Sequence, residues 1–175
     1  MEPFRAIKKS PIAVIFLILA GVFVLVACGS SGRTARDFEV VQFDGNTFRL
    51  FEETNDNAVV VNFWYPSCPP CREEMPAIEA AWQELNDLPV KVLGLYVPQG
   101  FDSEQDAQNF VEELGLTFDF ATDRLARIAE AYEVEYFPTT FFLDMEGEVV
   151  ATHISIMKKD EVVRQVKAII GGPPS

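Results

Sequence analysis

The pair Cys68 and Cys71, separated by two prolines and placed shortly after an apolar run, constrains the fold of this chain more than any other feature. Residues 58–64 read Ala-Val-Val-Val-Asn-Phe-Trp, and such a β-branched and aromatic run is typical of a strand buried on both faces. After the cysteines, apolar residues recur at helical spacing, so a helix is predicted to begin at Pro70 or Cys71 and to kink at Pro76. The sequence therefore predicts a C-x-x-C at the junction of a central strand and a helix.

This position favours redox chemistry at the two cysteines. Cys68 would lie at the helix N-terminus, where the helix dipole stabilises a thiolate, and we expect it to be the exposed nucleophile. Cys71 would lie one turn further on, buried, where it can resolve a mixed disulfide. A zinc site needs four ligands, and beyond this pair the chain offers only Cys28 and a single histidine, His153, expected to be a surface or half-buried residue.

The rest of the chain predicts an α/β fold with a mixed central sheet flanked by helices on both faces. A hairpin is predicted around Asp44-Gly45, and a capping box at Ser103 begins a helix that Gly115 ends. The predicted elements are a hairpin over 38–51, strands over 90–97, 116–120, 139–143 and 149–154, and helices over 103–115, 125–132 and 159–170.

The N-terminus has the composition of an export signal. A basic segment at residues 5–9 precedes an uncharged apolar run at 12–27, which is shorter than the ~20 residues that span a bilayer as a helix. Leu25-Val26-Ala27-Cys28 resembles the lipobox of bacterial lipoproteins, which implies a signal peptide over 1–27, lipidation at Cys28 and a tether over 28–36. The alternative is an uncleaved membrane anchor. Both place the domain outside the cytoplasm.

The net charge of −13 argues against nucleic acid as a partner, because an acidic surface repels phosphate.

Two segments carry a family resemblance. Residues 60–76, from Val60 through the C-x-x-C to Pro76, resemble the active-site segment of the thioredoxin superfamily, most of all its membrane-tethered TlpA/ResA-like branch, and residues 137–142 resemble the cis-proline segment of that fold. The resemblance covers residues 37–170 and leaves 171–175 as a tail. It implies a thioredoxin-like fold with an N-terminal hairpin and a helical insertion at 102–120.

The resemblance also assigns roles to residues. It implies a redox-active Cys68–Cys71 disulfide and a cis Pro138 whose neighbouring backbone can pair with a substrate strand. Asn62 stands where cytoplasmic thioredoxins carry a buried acid, and Glu74 is the residue that would influence cysteine protonation. The alternative for Glu74 is a solvated acid in the first helical turn.

The sequence also departs from the family pattern. Ser67 replaces the Trp usual before the first cysteine, a large Phe137 precedes Pro138, and Ser155 stands where family members often have Gly.

The resemblance implies a tethered thiol–disulfide oxidoreductase that reduces disulfides of exported proteins, such as apocytochrome c before haem attachment. Electrons would come from a transmembrane thiol-relay protein, and no organic cofactor or metal is implied.

The role of a reductant is also favoured by the residues themselves. Pro69 and Pro70 lack N–H groups to stabilise a thiolate, and Glu73 and Glu74 add negative charge. A less stabilised thiolate corresponds to a more reducing couple.

Three alternatives stay open at this point. The same fold could serve a disulfide-forming oxidase, and Tyr65-Pro66-Ser67-Cys68 is faintly similar to the site of a peroxiredoxin-like peroxidase. A non-catalytic metal or haem chaperone is the third.

Overall fold

The central strand predicted at residues 58–64 is present with those bounds. The structure, a computed structural model, describes residues 33–171. The predictions for residues 1–32 and 172–175, including the signal peptide, the lipidation of Cys28 and most of the tail, lie outside this range.

The described elements follow the predicted order. The strands are β1 (Arg33–Thr34), β2 (Glu39–Val41), β3 (Thr47–Arg49), β4 (Ala58–Trp64), β5 (Val90–Tyr96), β6 (Asp119–Thr122), β7 (Thr139–Leu143) and β8 (Glu148–Ile154). The helices are α1 (Leu50–Glu53), α2 (Pro69–Leu85), α3 (Glu104–Leu114), α4 (Arg127–Ala131) and α5 (Lys159–Ile170), with a 3₁₀ turn over Arg124–Ala126.

The sheet is mixed, as predicted. Its six strands lie in the order β1-β8-β7-β4-β5-β6, and β2 and β3 form a separate hairpin. β4 pairs in parallel with β5 and antiparallel with β7, and β6 adds to β5 in parallel. The segment after β5 and the segment before β7 therefore lie on opposite sides of the end of β4, where the cysteines follow.

The two faces of the sheet are covered differently. One face packs against α2, α3 and α5, with Val60 and Trp64 of β4 pointing towards them. The other face carries Val61 and Phe63 and is covered by the hairpin and the short α1 and α4. The prediction of helices on both faces is thus correct, but long helices cover one face only.

Three predicted element boundaries are wrong. The second hairpin strand ends at Arg49 because the chain turns into α1, where the Phe51 N–H donates to Asp37. The extended segment expected at 116–120 is displaced to β6, whose register with β5 begins at Asp119. The helix expected at 125–132 is interrupted, and its last turns begin only at Arg127.

The predicted capping box at the start of α3 and the predicted glycine at its end are both confirmed. Ser103 accepts from the Asp106 N–H while the Asp106 carboxylate accepts from the Ser103 N–H, and Gly115 ends α3 in a left-handed conformation at φ 62°. Within residues 33–171, no helix has both the length and the apolar character needed to cross a membrane.

Candidate active site

Cys68 and Cys71 form a disulfide at the start of α2. Cys68 is the N-cap residue, and its Sγ accepts a hydrogen bond of 3.2 Å from the Cys71 N–H. The helix begins at Pro69, earlier than predicted, because proline in the first helical position has a suitable φ and loses no hydrogen bond. The absence of N–H groups at Pro69 and Pro70 leaves the Cys71 amide as the first one that can reach the sulfur.

The expected difference in exposure between the two cysteines is not found in this disulfide form. Cys68 is 1% exposed and Cys71 is 0% exposed in this form, and that Cys68 is the exposed nucleophile of the reduced dithiol stays a prediction. Both belong to the core under α2, and the half-buried Tyr65 and Phe137 pack against that core in edge-to-face contact, with ring centroids 5.2 Å apart. The two sulfurs differ in position instead, since Cys68 caps the helix and Cys71 lies inside it.

The charged groups beside Cys68 do not favour a thiolate. Arg72, the only cation near the cysteines in sequence, is bound to Glu113 at 3.0 Å and lies over the ring of Phe110 at 4.8 Å. The carboxylate of Asp102 accepts two hydrogen bonds from the residue before Cys68, at 2.9 Å from the Ser67 N–H and 2.6 Å from its hydroxyl. The available cation is thus neutralised, and a negative charge is held near the disulfide.

Glu74 is buried, so the alternative of a solvated acid in the first helical turn is wrong. Its side chain is in the second turn of α2 and is 0% exposed. Oε2 accepts from Asn62 Nδ2 and Oε1 from the Met157 N–H, both at 2.9 Å. Burial raises the pKa of the Glu74 carboxyl from 4.5 to about 7, although the two hydrogen bonds act in the opposite direction.

The Asn62 side-chain amide links three elements of the fold. Besides bonding Glu74, its Nδ2 donates to Thr140 Oγ1 at 2.8 Å, which connects β4, α2 and β7. Among the described residues, its Oδ1 has no hydrogen-bond partner despite being buried. The contact between Asn62 and Glu74 was not predicted, although a polar residue within the apolar run 58–64 was its sequence signal.

The second motif lies at the same end of the sheet. The Phe137–Pro138 peptide bond is cis, as the resemblance implied. Thr139 pairs with Phe63 of β4, which places Pro138 beside the segment leading to Cys68. The Pro138 carbonyl accepts from the Ser155 N–H at 2.9 Å, and Ser155 has φ 102°, a conformation that favours the Gly expected from the resemblance.

Other candidate residues lie elsewhere. His153 is half-buried on β8 and faces Glu161 at 3.4 Å, in agreement with its predicted surface or half-buried position. Within residues 33–171, no three or more His, Cys, Asp or Glu side chains converge as they would around a metal ion.

This fold, with a disulfide closing one helical turn at the end of its central strand and a cis-proline beside it, is that of thioredoxin-like thiol–disulfide oxidoreductases. The family model described as AhpC/TSA family matches residues 31–152, and the chain belongs to this family.

The comparisons with individual proteins agree with this assignment. The chain is 30% identical over 157 residues to the thiol-disulfide oxidoreductase ResA of Geobacillus kaustophilus, which covers 90% of this chain and 88% of the relative. It is 31% identical over 135 residues to the thioredoxin-like protein YneN of Bacillus subtilis, covering 77% and 78% of the two chains. The resemblance to the ResA-like branch and the enzyme class are thereby confirmed.

A solved structure supports the fold. The crystal structure of a thiol:disulfide interchange protein of the thioredoxin family from Chlorobium tepidum superposes with a TM-score of 0.71 at 24% identity, covering 82% of this chain and 99% of that one. At this identity the likeness concerns the fold alone.

Proposed function

We propose that Cys68 and Cys71 form the dithiol that reduces disulfides of exported proteins. The Cys68 thiolate attacks a substrate disulfide, forming a mixed disulfide and releasing one substrate thiol. The Cys71 thiolate then attacks Cys68 Sγ, which restores the intramolecular disulfide and releases the second thiol, so two electrons pass to the substrate. The observation that carries this proposal is the disulfide between the N-cap cysteine and the cysteine one turn inside α2.

Two further residues support these steps. Glu74 lies one turn after Cys71 on the buried side of α2, and with its carboxyl pKa at about 7 it can hold or release a proton near neutral pH. The main chain of Phe137 makes no hydrogen bond to another described residue, so its N–H and C=O are available to a substrate strand beside Pro138.

The surroundings of Cys68 favour the role of a reductant. One backbone amide reaches its sulfur, Arg72 is engaged by Glu113, and Asp102 holds a negative charge at the preceding residue. A single amide stabilises a thiolate only weakly and the other two features disfavour it, and a poorly stabilised reduced form corresponds to a more reducing couple.

The reduction potential tests the direction of electron flow. Equilibration of the protein in thiol–disulfide buffers should give a potential closer to the about −270 mV of thioredoxin than to the about −120 mV of the strongest oxidants. A potential near about −120 mV would contradict the proposed role as a reductant and support a disulfide-forming oxidase. A Cys68→Ser, Cys71→Ser double variant is the control, since it should show no redox transition in the same buffers.

The proposed location is the extracytoplasmic face of the cell membrane, with lipid on Cys28. Its support is the sequence of residues 5–28, where a basic segment, a short apolar run and small residues precede the cysteine. The proposed partners are exported proteins with reducible disulfides, apocytochrome c among them, and a transmembrane thiol-relay protein as electron donor. These partners come from the family resemblance.

Replacing Cys28 by Ser tests the anchor. In a bacterium, the wild-type protein should be recovered from membranes without residues 1–27 and with an acyl mass at its N-terminus, whereas Cys28→Ser should lack the acyl mass. The measurements are fractionation and intact-protein mass spectrometry. Wild-type protein that retains residues 1–27 without acyl mass would instead identify the segment at 12–27 as an uncleaved anchor.

A further inference from the structure

We propose that the loop between β5 and α3, residues 97–103, forms with the active-site turn a docking surface for a basic and apolar segment of the substrate polypeptide. Phe101 is its apolar contact, and the cleft beside Asp102 receives a Lys or Arg side chain. This inference rests on the proposed reduction of protein disulfides and names the class of protein segment that the site selects.

The loop is fastened to the active site by Asp102. Its carboxylate accepts from both the N–H and the hydroxyl of Ser67, the residue before Cys68. Its main-chain carbonyl accepts from the Tyr96 hydroxyl at 2.7 Å, which ties the loop back to the end of β5. Because the same residue bonds the turn and the strand, it fixes the loop that carries the adjacent Phe101 against the active-site turn. Asp102 is thus a positioning residue.

Phe101 is fully exposed, at 105% of its reference surface, and no other large apolar side chain among residues 33–171 is exposed to this extent. A single exposed apolar residue is ordinary on a protein surface, and it is the position of this one that matters. Tyr136, 64% exposed, precedes the cis-proline bond on the β7 side of β4, while Phe101 lies on the β5 side. Two exposed aromatic rings thus border the end of β4, each able to bury apolar surface of a bound chain.

The cleft next to the loop is acidic. It has a volume of about 300 Å³, room for one long side chain, and its lining includes Asp102, Asp106, Glu113 and Arg72. Arg72 is paired with Glu113, so the carboxylates of Asp102 and Asp106 are left without a cationic partner among the described residues. Hydrogen bonds from the Ser103 hydroxyl and N–H lower the pKa of Asp106, which keeps it charged at neutral pH. Charge complementarity therefore selects a cation.

The two contacts lie close enough together to be made by one extended chain. Ser67 lines the cleft and directly precedes Cys68, and Phe101 directly precedes Asp102, which lines the same cleft. An extended segment advances about 3.3 Å per residue, so a basic and an apolar side chain within a few positions of the substrate cysteine can reach both contacts. An acidic segment would meet like charge at the cleft.

Peptide disulfides of matched length test the proposal with the reduced protein. Three peptides carry Lys and Leu, Glu and Leu, or Lys and Ser near one cysteine, and glutathione disulfide serves as the small substrate. At low ionic strength, the Lys–Leu peptide should be reduced about ten-fold faster than the Glu–Leu peptide, and the difference should shrink several-fold in about 0.5 M NaCl, because salt screens exposed charges.

The variant Phe101→Ser separates the apolar contact from the charge. It should slow reduction of the Lys–Leu peptide by about ten-fold, the expected effect of losing a buried aromatic contact, and leave the Lys–Ser peptide and glutathione disulfide unchanged. Leu88→Ser, an exposed apolar site just before β5 at the opposite end of the sheet, is the matched control and should change none of these rates.

The outcomes are distinguishable. Equal rates for the Lys–Leu and Glu–Leu peptides, or equal effects of Phe101→Ser and Leu88→Ser, would overturn the docking surface while leaving disulfide reduction intact. If the wild-type dithiol fails to reduce even glutathione disulfide, both the proposed function and the docking surface that rests on it are wrong. Asp102→Asn should reduce the preference for Lys over Glu, since it removes one of the two unpaired charges.

Discussion

Replacement of Cys71 by Ser should trap substrate proteins on Cys68 as stable mixed disulfides. Cys68 can still attack, but the resolving thiol that lies one helical turn away is absent. Because an oriented intramolecular thiol acts at a very high effective concentration, turnover of disulfide substrates should fall by about 10³-fold or more. Non-reducing electrophoresis of cell extracts and mass mapping of the adducts measure the trapping directly.

The matched control is Cys68→Ser, which keeps the thiol inside α2 and removes the one at the helix cap. It should trap no substrate. Equal trapping by both variants, or preferential trapping by Cys68→Ser, would reverse the assigned roles. This test is needed because exposure does not separate the two sulfurs in the disulfide form, where Cys68 is 1% and Cys71 0% exposed.

The local signals in the sequence predict the strand and the helix at the site, although α2 begins at Pro69, earlier than predicted. The apolar run at 58–64 has the residue types of a strand with two buried faces, and all seven residues of β4 are buried. The pair Cys68 and Cys71 follows this strand in both the prediction and the structure. Pro138 needed the family resemblance, because nothing in the composition of residues 137–142 distinguishes a cis from a trans bond.

The burial of Glu74 was missed for a different reason. The alternative of a solvated acid assumes a helix that begins at Pro70 or Cys71, but α2 begins at Pro69, which places Glu74 in the second turn. Its spacing from Cys71 and Ile78 matches the buried face of the helix, so the periodic signal was present. The sequence does not indicate which group bonds the Glu74 carboxylate, because the Met157 N–H lies 83 positions further along the chain.

The interrupted helix at 124–131 shows how a tertiary contact overrides periodicity. The apolar spacing of Leu125, Ile128 and Ala129 favours one continuous helix. Instead, the buried Asp123 accepts from the N–H groups of Ile128 and Ala129, and so fixes the start of α4 at Arg127. Leu125 and Ala126 take positive φ values of 67° and 54° to make this connection.

The replacement Glu74→Gln should make the stability of the disulfide form less dependent on pH. In the unfolded chain the carboxyl ionises near 4.5, whereas in the folded protein burial holds its pKa at about 7. Between these values the folded state binds more protons, so the free energy of unfolding of the wild type falls as pH rises. The loss should reach about 3 kcal/mol above pH 7, since each pKa unit corresponds to about 1.4 kcal/mol.

Glutamine keeps the shape of the side chain without the titrating proton. Its carbonyl oxygen can accept from the Met157 N–H, and its amide can donate to Asn62 if the Asn62 amide turns its unpartnered Oδ1 towards it. Urea unfolding from about pH 4 to pH 8 should therefore show the stability of Glu74→Gln rising relative to the wild type by about 3 kcal/mol. Glu73→Gln, at the exposed neighbouring position, is the control and should follow the wild type. Parallel curves for Glu74→Gln and the wild type would show that Glu74 does not titrate between 4.5 and about 7 in the folded protein.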